Sequence, residues 1–218
     1  MTPFTNSAPG FDVTTVRALL FDLGGVVITL DFRRVFEQWA LAAGCEAASL
    51  ATRFSQDDAY VRHERGEIDA AGYFDSLRST LGIGLSDEEF LDGWNDIYEG
   101  PVKGVEALLR SASLSFPIYA FTNSNPSHQS VWTTELELEL RWFRSVFVSS
   151  ELGMRKPDRD AYLEVAARAG HRASEFLFFD DSPENVEGAR AAGMQAVLTR
   201  SLADVRRALR ELGVVDDQ

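Results

Sequence analysis

The sequence predicts an α/β fold: a three-layer core whose parallel sheet is covered by helices on both faces, with an α-helical segment inserted near its start. Three observations carry this expectation. Short apolar runs recur at 18–21, 116–121 and 176–179, each ended by polar residues. Amphipathic helical patterns alternate with them, the order that builds parallel sheets buried on both faces. Residues 31–100 break the rhythm with helical periodicity alone.

In chain order, Ala18-Leu19-Leu20-Phe21 reads as a buried strand that stops at Asp22, after which Gly24 and Gly25 can turn the chain sharply. Phe32, Val35, Phe36 and Trp39 fall at i, i+3, i+4 and i+7 on one helical face, and Ser86-Asp87-Glu88-Glu89 has the form of a capping box before Phe90. No strand is expected between 31 and 100. Helical patterns at 104–109 and 161–169 accompany apolar strands that stop at Thr122-Asn123 and at Asp180-Asp181. A helix at 184–192, a strand at 195–199 and a helix at 202–212 complete the core. The 133–140 stretch alternates Glu and Leu, suiting a strand by period and a helix by propensity, and both readings stay open. The organisation expected is a leader at 1–16, a Rossmann-like core at 17–30 and 101–218, and a helical cap at 31–100 lying over the strand ends, where it would exclude water.

Composition narrows the function. Of 218 residues, 45% are hydrophobic and 25% charged, the make-up of a folded chain. Lys and Arg number 21 against 34 Asp and Glu, and the resulting charge of −13 repels nucleic acid and anionic lipid. No apolar run has the length of a membrane span, and the first ten residues lack a secretory signal pattern. Neither nucleic acid nor a membrane is an expected partner. Cys45 is the sole cysteine, so an intramolecular disulfide and a cysteine metal cluster are excluded, and a cytoplasmic setting is expected. It reads as a small packing residue. Nothing in the sequence bears on oligomeric state.

Four polar clusters fall at predicted strand ends or loops, and open α/β sheets bind ligands at the carboxyl ends of their strands. Asp22 with Gly24 and Gly25 either exposes a carboxylate or simply starts a turn. Thr122-Asn123-Ser124-Asn125 offers hydroxyl, amide and backbone donors at a strand-to-helix junction, where an anion or an N-cap is favoured. Gly153-Met154-Arg155-Lys156-Pro157 sets two cations before a proline, as a site or as solvated loop charges. Asp180-Asp181-Ser182-Pro183-Glu184-Asn185 puts two carboxylates side by side, and a bound cation is the simplest relief of their repulsion.

Taken together, an Asp at the first strand end, Thr at the second, Lys before the third and an acidic pair at its end resemble the haloacid dehalogenase superfamily of aspartate-nucleophile hydrolases. The resemblance spans about residues 17–212, and the insert sits where members with an α-helical cap carry it. Within that superfamily, Phe21-Asp22-Leu23-Gly24, His63-Glu64-Arg65-Gly66-Glu67-Ile68, Thr122-Asn123-Ser124-Asn125 with His128 and Trp132, Leu152 to Pro157, and Phe178-Phe179-Asp180-Asp181 are similar to the bacterial α-D-glucose-1-phosphate phosphatases.

The resemblance implies a small-molecule phosphate ester as substrate. Asp22 would be the nucleophile, forming an aspartyl phosphate, with Mg²⁺ held by Asp22, the Gly24 carbonyl and Asp181. Thr122 and the Asn123 N–H would bind phosphoryl oxygens, Lys156 would neutralise charge, and Asp180 and Asn185 would stand behind these groups. Arg155 would join Lys156 in giving anions a positive entrance. Glu64 and Arg65 would contact the non-phosphate part of the substrate, or else be solvated charges beside a turn. His128 is either a proton donor or a helix-start residue. One departure matters: most phosphatases of the superfamily carry a second aspartate two residues after the nucleophile, an acid/base worth about 10² to 10⁴ in rate, and here that residue is Gly24. Either leaving groups that need little protonation are expected, as in sugar 1-phosphates or acyl phosphates, or the acid comes from His128, the cap or water. A 2-haloacid dehalogenase needs neither acid nor metal, but Asp180 and Asp181 without a cation would repel its anionic substrate. A non-catalytic phosphosugar-binding protein would have little need of Asp22.

Overall fold

The computed structural model describes residues 10–216. Five strands form a parallel sheet: β1 (Ala18–Phe21), β4 (Ile118–Thr122), β5 (Ser145–Val148), β6 (Phe176–Asp180) and β7 (Gln195–Leu198), in the spatial order β5-β4-β1-β6-β7. β1 is central, with β4 and β6 as its neighbours. Alternate residues of each strand face opposite layers, so Leu19 and Phe21 enter one core cluster and Ala18 and Leu20 the other. Helices α6 (Val105–Ser115), α7 (Pro126–Glu135) and α12 (Leu202–Glu211) cover the first face, and α10 (Arg159–Ala169) and α11 (Pro183–Ala191) the second. Phe21 stacks on Phe179, its partner in register, with ring centroids 4.7 Å apart.

Between β1 and β4 the chain leaves the sheet through a two-stranded antiparallel ribbon, β2 (Ile28–Leu30) with β3 (Tyr98–Pro101). Five helices lie between these two strands: α1 (Phe32–Ala43), α2 (Ala47–Arg53), α3 (Asp58–Glu64), α4 (Ala70–Leu81) and α5 (Asp87–Asn95). They form the helical cap around a core of their own, in which Trp39 and Trp94 stack at 6.0 Å. Gly93 makes that possible: a Cβ there would stand 2.3 Å from the Trp39 ring. The expected apolar face of α1 buries Val35, Phe36 and Trp39, and the Ser86/Glu89 capping box is formed.

Several expectations need correction. β3 begins within the stretch expected to hold no strand; Tyr-Glu-Gly-Pro has no alternating pattern, and its pairing is supplied by β2, far away in sequence. β5, a sheet edge, is a further strand beyond those expected; its apolar run, Val146 to Val148, is shorter than those that end at Asp22, Thr122 and Asp180. The 133–140 ambiguity resolves as helix, the end of α7 and a single turn, α8 (Glu137–Leu140). Cys45 is exposed, because it follows the left-handed Gly44 that ends α1. Of the leader expected at 1–16, residues 1–9 lie outside the described residues. Nearer the sheet the chain is tied down: Gln195 Nε2 donates to Thr15 Oγ1 at 2.9 Å, and Val16 is buried. No helix among the described residues is long and apolar enough to cross a membrane.

Candidate active site

The carboxyl ends of β4, β1 and β6 are adjacent, and each delivers a polar residue into one cavity of about 140 Å³: Thr122, Asp22 and, just after β6, Asp181. Gly24, Asn123, Lys156 and Asn185 line the same cavity. Four clusters far apart in sequence thus meet because three neighbouring strands end at one level.

Lys156 organises the floor. Its ammonium is 2.8 Å from Asp22 Oδ1 and 2.7 Å from Asp180 Oδ2, and the side chain is 1% exposed. Its backbone is held as well, since Lys156 N donates to Asn123 Oδ1 and Asn123 Nδ2 donates to the Lys156 carbonyl, both at 2.9 Å. The Asn123 side chain is thereby committed to positioning Lys156. Burial works against the charge on Lys156, but Asp180 and Asp22 outweigh it, so its pKa is raised and the ammonium persists.

Asp22 is held on Oδ1 by the Leu23 N–H at 2.7 Å as well as by Lys156. Burial nevertheless lifts its pKa well above the usual carboxylate range, with Lys156 opposing and Asp180 and Asp181 adding to the rise. Asp181 is raised for the same reasons, burial first and the charge of Asp180 next. Asp180 is fully engaged: it accepts from the Ser182 N–H at 2.8 Å, from Asn185 Nδ2 on both oxygens, and from Lys156. Asp22, Asp180 and Asp181 each bring one carboxylate oxygen to within 4.8 Å of the others. This all-oxygen, over-charged set fits a hard divalent cation, whose presence would offset the repulsion that lifts Asp22 and Asp181. Gly25 completes the cradle: at φ 70°, a Cβ on it would stand 2.1 Å from Asp181 Oδ2.

The cap residues divide. Glu64 lines the cavity and is buried, with Arg155 Nε 2.8 Å from its Oε2. Arg155 is therefore an ion-pair partner and not the free positive entrance expected. Arg65 does not line the cavity; it reaches outward to Asp158 at 2.7 Å, so the expected substrate contact is replaced by a cap-to-core ion pair. His128 lines the cavity, but its Nε2 is 3.0 Å from the Trp94 carbonyl and its ring stacks on Trp94 at 4.5 Å. Burial pushes its pKa down to about 3, so it stays neutral and its proton is committed to a carbonyl. The proton-donor reading of His128 is not supported by this geometry.

Two features escaped the sequence reading. Ser149, just after β5, accepts from the Ser124 N–H at 2.9 Å and donates to the Ser124 carbonyl at 3.0 Å, fixing the loop that follows β4. Phe147-Val148 ending in Ser149-Ser150 repeats the apolar-to-polar signal of the other strands and could have revealed it. The second is Leu30, which covers Gly24: a Cβ at position 24 would stand 2.7 Å from Leu30 Cδ1.

A parallel α/β core, a helical cap and an acidic cluster with a buried lysine at the strand ends define a hydrolase site of one class. The family model for haloacid dehalogenase-like hydrolases matches residues 16–193, and the chain belongs to that family. The chain is 30% identical over 194 residues to sesquiterpene phosphatase astK of Aspergillus oryzae, covering 87% of this chain and 93% of that protein. It is 28% identical over 217 residues to phosphatase MT3486 of Mycobacterium tuberculosis, with 93% and 98% covered. Among solved structures, a HAD family enzyme from Bacteroides thetaiotaomicron in complex with magnesium and inorganic phosphate superposes with a TM-score of 0.71. That enzyme is 26% identical, with 84% of this chain and 93% of that chain covered.

Proposed function

We propose that this hydrolase is a Mg²⁺-dependent phosphatase that cleaves a small phosphate monoester through an aspartyl phosphate on Asp22, in a cytoplasmic setting. The carrying observation is the convergence of Asp22, Thr122, Lys156 and Asp181 in one cavity, with the Lys156 ammonium between Asp22 and Asp180. The phosphatase relatives and the structural neighbour solved with magnesium and phosphate support the same reading. Asp22, the Gly24 carbonyl and Asp181 would hold the cation, which supplies charge neutralisation for the phosphoryl group and for Asp22.

A carboxylate oxygen of Asp22 attacks phosphorus, and the bond from phosphorus to the ester oxygen breaks. Thr122 and the Asn123 N–H receive the phosphoryl oxygens, while Lys156 offsets negative charge beside the nucleophile. Asp180 and Asn185 hold Lys156 in place. Water then attacks phosphorus, the bond to Asp22 breaks, and phosphate leaves. No side chain at position 24 can protonate the departing oxygen, so substrates whose leaving group is already a weak base are favoured. Two classes answer to that: a sugar phosphate such as glucose 1-phosphate, which the motif resemblance suggests, and an aryl phosphate, which the apolar residues lining the cavity favour.

Phosphate release from p-nitrophenyl phosphate tests the reading. It should require Mg²⁺, vanish in Asp22→Asn, and pass through an acid-trappable phosphoenzyme. Halide release from 2-chloropropionate in EDTA, with no phosphate release, would overturn it.

A further inference from the structure

The cavity has two unlike halves. Its floor is the polar set at the strand ends, and the rest of its lining wall is contributed by the turn after β1, the β2–β3 ribbon and the cap. On that wall Leu23, Ile28, Leu30, Phe32, Ile97 and Tyr98 present aliphatic and aromatic carbon.

Three of the polar groups beside them are already engaged within the protein. Glu64 faces Arg155, His128 Nε2 meets the Trp94 carbonyl, and Trp132 Nε1 donates to Ser124 Oγ at 3.0 Å. A sugar brings several hydroxyls that must be satisfied once buried, and each one left unpaired carries an uncompensated desolvation cost. This wall offers them little; it matches a flat apolar group.

Gly24 and Leu30 add an independent constraint. With Leu30 Cδ1 only 2.7 Å from the place a Cβ would take on Gly24, a methyl group of Leu30 fills the space into which a side chain at position 24 would grow. With no acid at position 24, a leaving group that departs as a stabilised anion is favoured. A phenol does so, ionising like the tyrosine side chain at about 10, whereas an aliphatic alcohol is a far weaker acid.

Resting on the phosphatase reading, we infer that the substrate is an aryl phosphate of about one ring, and that Leu30 is the residue that selects it, by covering Gly24 and contacting the ring. The bond between phosphorus and the phenolic oxygen breaks, the oxygen keeps the electron pair, and the phenolate takes its proton from solvent.

The test is a square of four substrates with Mg²⁺: phenyl, benzyl, glycerol 3- and glucose 1-phosphate. Phenyl and benzyl are both apolar and differ in leaving-group acidity, so phenyl should lead by about 10² in kcat, the scale a positioned acid supplies. Benzyl and glycerol 3-phosphate share an alkyl oxygen and differ in polarity, so benzyl should lead by roughly tenfold in kcat/KM. Glucose 1-phosphate should trail phenyl phosphate by roughly tenfold or more in kcat/KM. In Leu30→Asn, the phenyl-to-glucose ratio should fall by about fivefold, with the thermal melt and the Mg²⁺ requirement retained, and Leu30→Ala should shift it in the same direction. Phosphate release with glucose 1-phosphate equal to or ahead of phenyl phosphate, or a ratio unmoved in both Leu30 variants, overturns this inference and leaves the phosphatase reading standing. Release from none of the four overturns both.

Discussion

Arg155 Nε lies 2.8 Å from Glu64 Oε2, so the end of cap helix α3 is joined to the residue immediately before Lys156. A second pair, Arg65 to Asp158 at 2.7 Å, lies on the other side of Lys156, and Gly66 passes so close to the Ser150 carbonyl that a Cβ would stand 2.5 Å from it. The cap therefore docks on the segment that carries the lysine. Removing one partner of the buried pair, in Glu64→Gln or Arg155→Gln, leaves an uncompensated charge and should cost about 3 kcal/mol in denaturant unfolding. The double variant should cost less than the sum of the two. The half-exposed Arg65 to Asp158 pair should contribute no more than about 1 kcal/mol and weaken with salt. Strict additivity across Glu64 and Arg155 would show that the two do not act as a pair.

Gly25 gives a prediction about the metal. A methyl group there would meet Asp181 Oδ2 at 2.1 Å, and the φ of 70° disfavours any L side chain. Gly25→Ala should displace Asp181 and weaken Mg²⁺ binding by about tenfold or more, while backbone strain costs about 1–2 kcal/mol. Calorimetric titration of Mg²⁺ into the variant checks this, and an affinity equal to the parent's would show that Asp181 is not a ligand.

Lys156 should resist even a conservative exchange. Its buried ammonium meets two carboxylates, at 2.7 and 2.8 Å, in a space shaped for one nitrogen. Lys156→Arg must fit a planar fork there and should lose most turnover; Lys156→Met leaves Asp22 and Asp180 facing each other and should lose about 3 kcal/mol of stability at neutral pH. Denaturant titration and steady-state rates on the two variants separate the effects. Near-parental turnover in Lys156→Arg would mean that charge alone is needed.

The parts legible in the sequence are those with a local cause. Asp22, Thr122 and Asp180 each end an apolar run, and that abrupt change in polarity marks a strand end without knowledge of its neighbours. The helical cap was legible because α1 and α5 carry their own periodicity and caps. Leu30 over Gly24 was not, since its position depends on the β2–β3 ribbon, whose strands lie at opposite ends of the insert. Nor was the engagement of Arg155, Arg65 and His128: their residue types suit substrate contact, and only the docked cap shows that Glu64, Asp158 and the Trp94 carbonyl take them first.

The two buried histidines at the cap make stability depend on pH. Burial lowers the pKa of His128 to about 3, and burial lowers that of His63 as well. In the unfolded chain a histidine titrates near about 6.5. Below that pH the unfolded state binds protons that the folded state refuses, so stability is fully present above about 6.5 and falls as the solution is acidified. For His128 alone, going from pH 6.5 to 5.5 removes about 1 kcal/mol, because over that interval the unfolded form carries on average about three-quarters of a proton while the folded form stays neutral. Carboxylates add their own dependence at lower pH, so the comparison to make is between parent and His128→Gln. The parent should lose about 1 kcal/mol more than the variant between pH 6.5 and 5.5 in urea unfolding. Parallel losses in the two proteins would mean that His128 is protonated in the folded state, and hence that its ring is not sealed between Trp94 and the cavity.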